Sequence, residues 1–297
     1  MMFKLSCLAL LLQAYFMATA SPEFSYFSNG ADWNTAFPDC GGSSQSPINI
    51  TRANVQAAAT GSRPFSMILN SNTTTITYTV GHNVNTAGTF SYVNTLDSNG
   101  VPSLFIDTGF HVHAPGEHQI DGVLGDAEIH FVHQINGTST STYQYVVVGL
   151  IFKKSAGVSD PLIAGWNVNT AAGATNQFNM NSVALSNILA SQNFFTYTGS
   201  FTAPPCTQSV RFFLIDKLFD ISAAQLTTFQ NLFANNNAFA GGKGNNRLTQ
   251  ALNGRIVNSI TVPAANITSA IIPQATTASV FILRGILAFF GAFLFFK

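Results

Sequence analysis

The chain has 297 residues, a formal net charge of zero and a charged fraction of only 8%. This length is ample for one cored domain. Because the sequence contains no cluster of Lys and Arg residues, it argues against nucleic acid as a partner.

Residues 1–20 have the features of a secretory signal peptide. Lys4 precedes an apolar run, Leu5–Met17, which is followed by the small residues Ala18-Thr19-Ala20. The apolar run is too short to be a spanning helix. We therefore expect cleavage before Ser21 and a mature protein that is extracytoplasmic.

The cysteines agree with an oxidising compartment. Cys7 would leave with the signal peptide, so Cys40 and Cys206 remain as an even pair. Such a pair in an exported protein favours a disulfide, and two free thiols are the alternative. Four Asn-x-Thr sequons are candidates for N-glycosylation: Asn49, Asn72, Asn136 and Asn266.

Residues from Ser21 to Val262 show no repeat and no change of composition, which predicts a single domain. Most apolar periodicity is that of strands, in β-branched and aromatic runs separated by Gly, Asn, Ser and Pro. The predicted strands are Ser66–Leu69, Thr73–Val80, Thr89–Val93, Leu104–Ile106, Phe110–His113, Ala127–His133, Tyr143–Phe152, Phe195–Tyr197, Val210–Ile215 and Ile256–Ile260. Two helices are predicted, at Ser182–Ser191 and at Ser222–Phe233, the second with an N-cap serine. The expected fold is α+β but predominantly β, with a large, mostly antiparallel central sheet of about ten strands and short peripheral helices.

Five of the six histidines lie between Phe110 and His133. His111 and His113 are one residue apart in a predicted strand, so their imidazoles leave the same face. Glu128 and His130 have the same spacing in the next predicted strand, and the intervening loop is rich in turn residues. Three imidazoles that converge and leave a fourth position open are typical of a catalytic zinc site.

The remaining polar residues of this stretch have other expected roles. His118 and His133 lie outside these two spacings, so we expect them to be structural hydrogen-bonding residues. The carboxylates of Glu117 and Glu128 are candidates for contacts that support the metal ligands.

The C-terminal residues 280–297 are apolar apart from one internal arginine and the final lysine, and they are short for a membrane span. Small and polar residues precede them at 263–279. This pattern is typical of a glycolipid-anchor signal, and a short tilted transmembrane anchor is the alternative. The candidate attachment residues are Asn266, Ser269 and Ala270.

Several motifs resemble those of the α-class carbonic anhydrases. They occur in the family's order over essentially all of residues 21–262. They are CGGSSQSPINI at Cys40–Ile50, GHNVN at Gly81–Asn85, FHVHAPGEHQI at Phe110–Ile120, AEIHFVH at Ala127–His133, VVVGLIF at Val146–Phe152, YTGSFTAPPC at Tyr197–Cys206 and NNRLTQALNGR at Asn245–Arg255.

The resemblance implies attack of zinc-bound hydroxide on CO₂, which gives bicarbonate and a proton. Thr202 would accept a hydrogen bond from the hydroxide and donate its own proton to Glu117. Glu128 would accept the second N–H of the third ligand. The Zn²⁺ ligands that the resemblance implies are His111, His113 and His130.

The resemblance also assigns residues around the metal. His82 would be the proton shuttle, since an imidazole titrates near physiological pH. Cys40 and Cys206 fall where extracellular members carry a disulfide. The apolar wall that admits CO₂ would consist of Val132, Val147, Phe201, Val210 and Phe212.

The chain departs from the family pattern at several positions. Gly109 stands where many members have a glutamine that orients the first histidine ligand, Ala203 replaces a second threonine, and Phe212 stands where tryptophan is usual. No zinc ligand is lost, and the pair of Thr202 and Glu117 is intact, so activity is expected.

The sequence therefore predicts a secreted zinc carbonic anhydrase, held by a lipid anchor at the extracellular face of the plasma membrane. Its substrates would be CO₂ and bicarbonate, and no oligomeric state is predicted. The competing hypothesis is a cell-surface adhesion or carbohydrate-binding protein that retains the fold with little activity. The intact set of zinc ligands opposes that hypothesis.

Overall fold

The computed structural model describes residues 24–58, 64–70, 75–80, 84–87, 90–137, 141–157, 159–164, 166, 175–179, 181–234 and 240–270. From Ser25 onwards these residues belong to one compact unit, Ser25–Gln274. The predicted signal peptide, the C-terminal tail, His82 and Asn72 lie outside the described residues.

Strands dominate the described part of the chain. They are β1 (Asn49–Ile50), β2 (Gln56–Ala57), β3 (Phe65–Asn70), β4 (Thr75–Val80), β5 (Val84–Ala87), β6 (Ser91–Leu96), β7 (Pro102–His113), β8 (Gln119–Ile120), β9 (Val123–Leu124), β10 (Ala127–Ile135), β11 (Tyr145–Lys154), β12 (Thr175–Asn179), β13 (Gln192–Ser200), β14 (Gln208–Ile221), β15 (Asn258–Val262) and β16 (Ile267–Ala270).

Helices are short, as predicted. Helix α1 spans Ser182–Leu189 and helix α2 spans Ala223–Ala234. The Ser222 hydroxyl accepts a hydrogen bond from the Gln225 backbone N–H at 3.2 Å, as an N-cap does. Single 3₁₀ turns lie at Trp33–Thr35, Pro38–Gly41, Arg52–Asn54 and Ala264–Asn266.

None of the helices in the described part of the chain has the length and apolar character required to cross a bilayer.

Ten strands form one sheet in the order β16-β3-β6-β7-β10-β11-β14-β13-β15-β2. The central pairings are antiparallel, except that β11 and β14 run parallel. The short strands β16 and β2 are added in parallel at the two edges. The predicted large and mostly antiparallel sheet is confirmed. Among the described residues, β1-β8-β9 and β12-β4-β5 form two smaller sheets.

In the described part of the chain, six short strands were not predicted: β1, β2, β5, β8, β9 and β12. The structure differs from the predicted elements in two further places. Leu104–Ile106 and Phe110–His113 both belong to the single strand β7. The sequence predicts two strands because a bulge in β7 shifts its pairing register with β10 and interrupts the alternation of buried residues. The second difference is β16, which pairs with β3 and extends the folded domain past the predicted boundary at Val262. Only Ile267 of this strand is buried, so the sequence has little apolar pattern there.

An aromatic cluster covers one face of β7 and β10. The Phe110 and Phe131 ring centroids are 5.4 Å apart, and Phe90 packs edge-on against Phe131 at 5.5 Å. Because side chains alternate along a strand, the neighbouring residues His111 and His130 point to the opposite face. The aromatic core therefore directs the histidines towards the candidate site.

A disulfide joins Cys40 to Cys206, as predicted, across a sequence separation of 166 residues. In the chain-entropy model, closing so long a loop destabilises the unfolded chain by about 5 kcal/mol. The bond also connects the segment before β1 to the loop between β13 and β14. Residues far apart in sequence are thereby held next to one another.

We expect the fully buried His133 to make stability depend on pH. Burial lowers the pKa of His133 to about 4, whereas the ordinary value is 6.5. The unfolded chain therefore binds a proton between these values that the folded chain does not. The resulting stability is fully present above about pH 6.5 and is lost as the pH falls towards 4. The loss should be about 3 kcal/mol.

Urea unfolding of wild type and His133→Gln at a series of pH values measures this contribution. Glutamine can still form a hydrogen bond with Ser91 Oγ, which lies 2.8 Å from His133 Nε2. The variant should lose about 3 kcal/mol less than wild type between pH 7 and pH 4. Equal losses in the two proteins would contradict the prediction.

Candidate active site

Four polar side chains share one face of the β7 and β10 pair. His111 lies directly opposite His130, and His113 lies directly opposite Glu128. Residues directly opposite in an antiparallel pair point to the same face. The i, i+2 spacings seen in the sequence thus bring all four side chains together.

The three histidines approach closely enough to share one ion. One ring nitrogen from each of His111, His113 and His130 lies within 4.8 Å of the corresponding atoms of the other two. His111 Nε2 is 3.3 Å from His130 Nδ1. His113 and His130 are buried, and His111 is half-buried.

The buried carboxylate of Glu128 supports this group. Its Oε2 accepts the backbone N–H groups of Glu117 and His118, each at 2.8 Å. Its Oε1 lies 2.7 Å from both His118 Nδ1 and His130 Nε2. Burial acts to raise the pKa of Glu128, but His118 and His130 together lower it well below the ordinary value. Glu128 is therefore an ionised acceptor, and both facing imidazole nitrogens carry protons.

A hydrogen-bonded chain continues from Glu128 away from the histidine triad. His118 Nε2 is 2.6 Å from the Tyr197 hydroxyl, which is 2.8 Å from Ser46 Oγ. Since His118 Nδ1 carries the proton towards Glu128, its Nε2 accepts from Tyr197. His118 also belongs to a second possible metal cluster with Glu128 and His130. The hydrogen bonds account for that grouping without an ion, and they give His118 the structural role that the sequence predicts.

The tautomers of two triad members follow from their partners. His130 Nε2 donates to Glu128, so Nδ1 of the same ring has a lone pair, which faces His111 Nε2 at 3.3 Å. His113 Nδ1 lies 2.9 Å from the Asn245 carbonyl oxygen, which can only accept, so Nε2 of His113 has a free lone pair. Burial lowers the pKa of His113 to about 3 and that of His111 well below 6.5. These imidazoles are neutral at pH 7, as metal ligation requires.

The arrangement fits a bound cation. Among the described residues, His113 Nε2 and Glu117 Oε2 are buried atoms without a hydrogen-bond partner, and they lie 3.2 Å apart. Lone pairs of neutral imidazoles that face one another in a buried site repel unless a proton or a metal ion lies between them. Three imidazole nitrogens in a protein interior suit Zn²⁺, and the group supplies no fourth protein ligand.

Glu117 borders the triad and connects it to distant segments. Its Oε1 accepts the Arg247 backbone N–H at 2.9 Å, and the Thr202 side chain interacts with its carboxyl group and lowers its pKa. Burial, followed by the neighbouring Glu128, raises the pKa of Glu117 well above the ordinary value, while the bonds from Thr202 and Arg247 oppose this. A cation bound by the triad would favour the ionised form.

The loop that carries Thr202 is held by several contacts. The Phe201 N–H donates to the Thr207 carbonyl, the Cys206 N–H donates to the Ala203 carbonyl, both at 2.9 Å, and Cys206 is disulfide-bonded. Thr202 itself is buried, with 4% of its surface exposed. Its hydroxyl is therefore held next to Glu117 by a constrained backbone.

The five predicted wall residues lie in one apolar cluster. Its buried part includes Val147, Val210 and Phe212, while Val132 and Phe201 pack against it and are partly exposed. The Phe212 ring lies 5.1 Å from His118 and 5.9 Å from His130. The structure therefore brings this cluster next to the histidines.

Other predicted residues are the proton shuttle and the candidate glycosylation sites. His82 lies outside the described residues, in the connection between β4 and β5, where Val80 pairs with Val84. Asn49 and Asn136 are exposed, whereas Asn266 Nδ2 donates to the Phe65 carbonyl at 2.9 Å.

The sequence prediction gave no role to three residues of the site: Tyr197, Asn245 and Arg247. Arg247 is 1% exposed, and its guanidinium donates to Gln45 Oε1, to the Ser46 carbonyl and to the Cys40 carbonyl. A buried cation with that many acceptors orders the segment before β1. The available signal was an arginine in the motif NNRLTQ, in a chain with few charges.

The family model for eukaryotic-type carbonic anhydrase matches residues 28–261. A carbonic anhydrase of Pectobacterium carotovorum is 32% identical over 86% of this chain and 98% of its own length. Mouse carbonic anhydrase 6 is 28% identical over 77% of each chain. The solved α-carbonic anhydrase of Thermovibrio ammonificans, bound to the inhibitor sulfanilamide, has a TM-score of 0.64 at 26% identity and covers 80% of this chain and 100% of its own.

Proposed function

The chain belongs to the eukaryotic-type carbonic anhydrase family, and we propose that it hydrates CO₂ reversibly to bicarbonate and a proton at a zinc site formed by His111, His113 and His130. Family and fold support the reaction. The observation that carries the zinc site is the convergence of three imidazole nitrogens, at least two of them with lone pairs that face the group, beside Glu117 Oε2, a buried atom without a hydrogen-bond partner.

Zinc bound by these residues would supply Lewis acidity, which makes water a nucleophile near neutral pH. The protein keeps His111 and His113 neutral, because burial lowers the pKa of both imidazoles. It also holds His113 and His130 in one tautomer each. Glu128 fixes His130 at 2.7 Å, and the Asn245 carbonyl fixes His113 at 2.9 Å. Outer contacts of this kind pre-orient ligands and raise their basicity.

Thr202 and Glu117 would orient the attacking oxygen. The Thr202 hydroxyl has one proton, which would be donated to Glu117, whose pKa the Thr202 side chain lowers. Its oxygen can then only accept a hydrogen bond from the nucleophile. This directs the nucleophile's lone pair away from Thr202 and towards the apolar wall, where CO₂ would lie. Val147 and Phe212 belong to that wall.

Each turnover must export one proton. His82 is the proposed carrier, because an imidazole can accept and release a proton at physiological pH.

We also propose secretion through the N-terminal signal and attachment by a C-terminal glycolipid. The fold bears on the attachment residue. Attachment at Asn266 would remove β16, whose four residues pair with β3, and Asn266 itself bonds the Phe65 carbonyl. Attachment at Ala270 retains the whole strand, so this residue is favoured over Asn266 and Ser269.

The adhesion or carbohydrate-binding alternative is not favoured, because no feature of the described residues calls for it.

Stopped-flow CO₂ hydration by the purified, oxidised protein tests the proposed reaction. We expect zinc-dependent hydration that chelation removes and added zinc restores. His113→Ala should lower zinc affinity by more than the roughly 100-fold typical for losing an outer contact. His133→Gln, a change at a buried histidine outside the triad, is the matched control and should keep zinc. Absence of hydration in zinc-loaded wild type would refute the enzymatic proposal.

Substitution of His82 tests the shuttle. His82→Ala should lower kcat in dilute buffer by at least roughly 10-fold while kcat/KM changes little, because only proton export is slowed. Added imidazole should restore the rate. An unchanged kcat in dilute buffer would exclude His82 from this role.

Treatment of intact cells with a phosphatidylinositol-specific phospholipase tests the anchor. Release of the protein into the medium, with a terminal peptide ending at Ala270, is the expected result. A known glycolipid-anchored protein serves as the digestion control. Retention when the control is released would indicate a transmembrane tail.

A further inference from the structure

We propose that Asp107 and Gly109 together position His111, in place of the glutamine side chain that many family members use. This inference rests on the proposed zinc site. Asp107 does not touch the triad. It is a positioning residue that acts through the backbone of β7.

The first observation is the bulge in β7. Gly109 pairs with Val132 and Asp107 pairs with His133, so Thr108 is an extra residue without a counterpart on β10. Gly109 has a φ of 136°, a value that favours glycine. Bulges re-aim the side chains that follow them.

The second observation is how the bulge is fastened. Asp107 is 5% exposed, and its Oδ1 accepts the Gly109 backbone N–H at 3.1 Å, across the extra residue. On the other side, the Thr108 hydroxyl donates to the Val132 carbonyl at 3.2 Å. One side-chain acceptor and one side-chain donor thus satisfy backbone groups at the point where the bulge interrupts the ladder.

The same carboxylate reaches the support behind His111. Asp107 Oδ2 accepts the Phe90 backbone N–H at 3.4 Å. The Phe90 ring packs edge-on against Phe110, the residue directly before His111, with 6.0 Å between centroids. Asp107 therefore contacts both the backbone ahead of His111 and the aromatic residue that holds the strand from behind.

Register explains why this matters for the metal. A shift of one residue would turn every following side chain of the strand to the other face. His111 faces His130 only because the bulge places the extra residue at Thr108. In this chain the backbone conformation at Gly109 orients His111, as a glutamine side chain does in many family members. A residue other than glycine at position 109 would oppose that conformation.

Zinc affinity, measured by competition with a chelator, tests the inference together with the visible spectrum of the cobalt-substituted protein. Asp107→Ala should weaken zinc binding roughly 10-fold or more and change the cobalt spectrum. Gly109→Gln should also weaken binding, although it introduces the residue common in the family.

The matched control is Asp97→Ala. Asp97 is also 5% exposed and accepts backbone N–H groups of Asn99, Val101 and Thr142, in the turn after β6. This variant should lose stability but keep wild-type zinc affinity and cobalt spectrum. A spectrum altered equally in both aspartate variants would reduce Asp107 to a general stabilising residue and overturn the inference.

Wild-type zinc affinity in Asp107→Ala would overturn the inference, as would equal or tighter binding by Gly109→Gln. If Asp107→Ala does not fold, the Gly109→Gln result decides alone. Failure of wild type to bind zinc, or binding unaffected by His113→Ala, would instead refute the proposed zinc site.

Discussion

The site depends on the hydrogen bonds that the ionised carboxylate of Glu128 accepts. One buried side chain accepts two backbone N–H groups from the loop after β7 and faces two imidazoles. A buried charge is costly unless it is fully hydrogen-bonded, and Glu128 meets that condition. The same bonds set the tautomer of His130 and place Glu117 beside the triad. Loss of this carboxylate would disturb ligand, loop and outer network at once.

Around this centre the site is assembled from distant parts of the chain. Thr202 comes from the loop after β13, and that loop is tied to the segment before β1 by the disulfide. Arg247 joins the segment before β1 to the loop that carries Glu117, because its backbone N–H binds Glu117 and its guanidinium binds the Cys40 carbonyl. The sheet supplies rigid positions for the histidines, while covalent and charged contacts hold the remaining groups against them.

The residues of the candidate site that follow the two-residue period of a β-strand could be predicted from the sequence. The grouping of His111, His113 and His130 was predictable because strand residues two apart share a face. The bulge at Gly109 was not, since its cause is a backbone angle and a contact with Asp107 rather than an apolar pattern. The role of Arg247 depends on partners 130 to 207 residues away, which periodicity cannot indicate. The disulfide was predictable because Cys40 and Cys206 are the two cysteines of the chain outside residues 1–20.

The antiparallel β7 and β10 pair has a consequence for the order of assembly during folding. His111 and His130 are separated by 19 residues, whereas Glu117 and Arg247 are separated by 130. Contacts between near neighbours in sequence close with less loss of chain entropy and form sooner. The β7 and β10 pair, which carries His111, His113 and His130, could therefore form while the rest of the sheet is still unformed. If these histidines hold an ion, its binding would precede the contacts that Glu117 makes with Arg247.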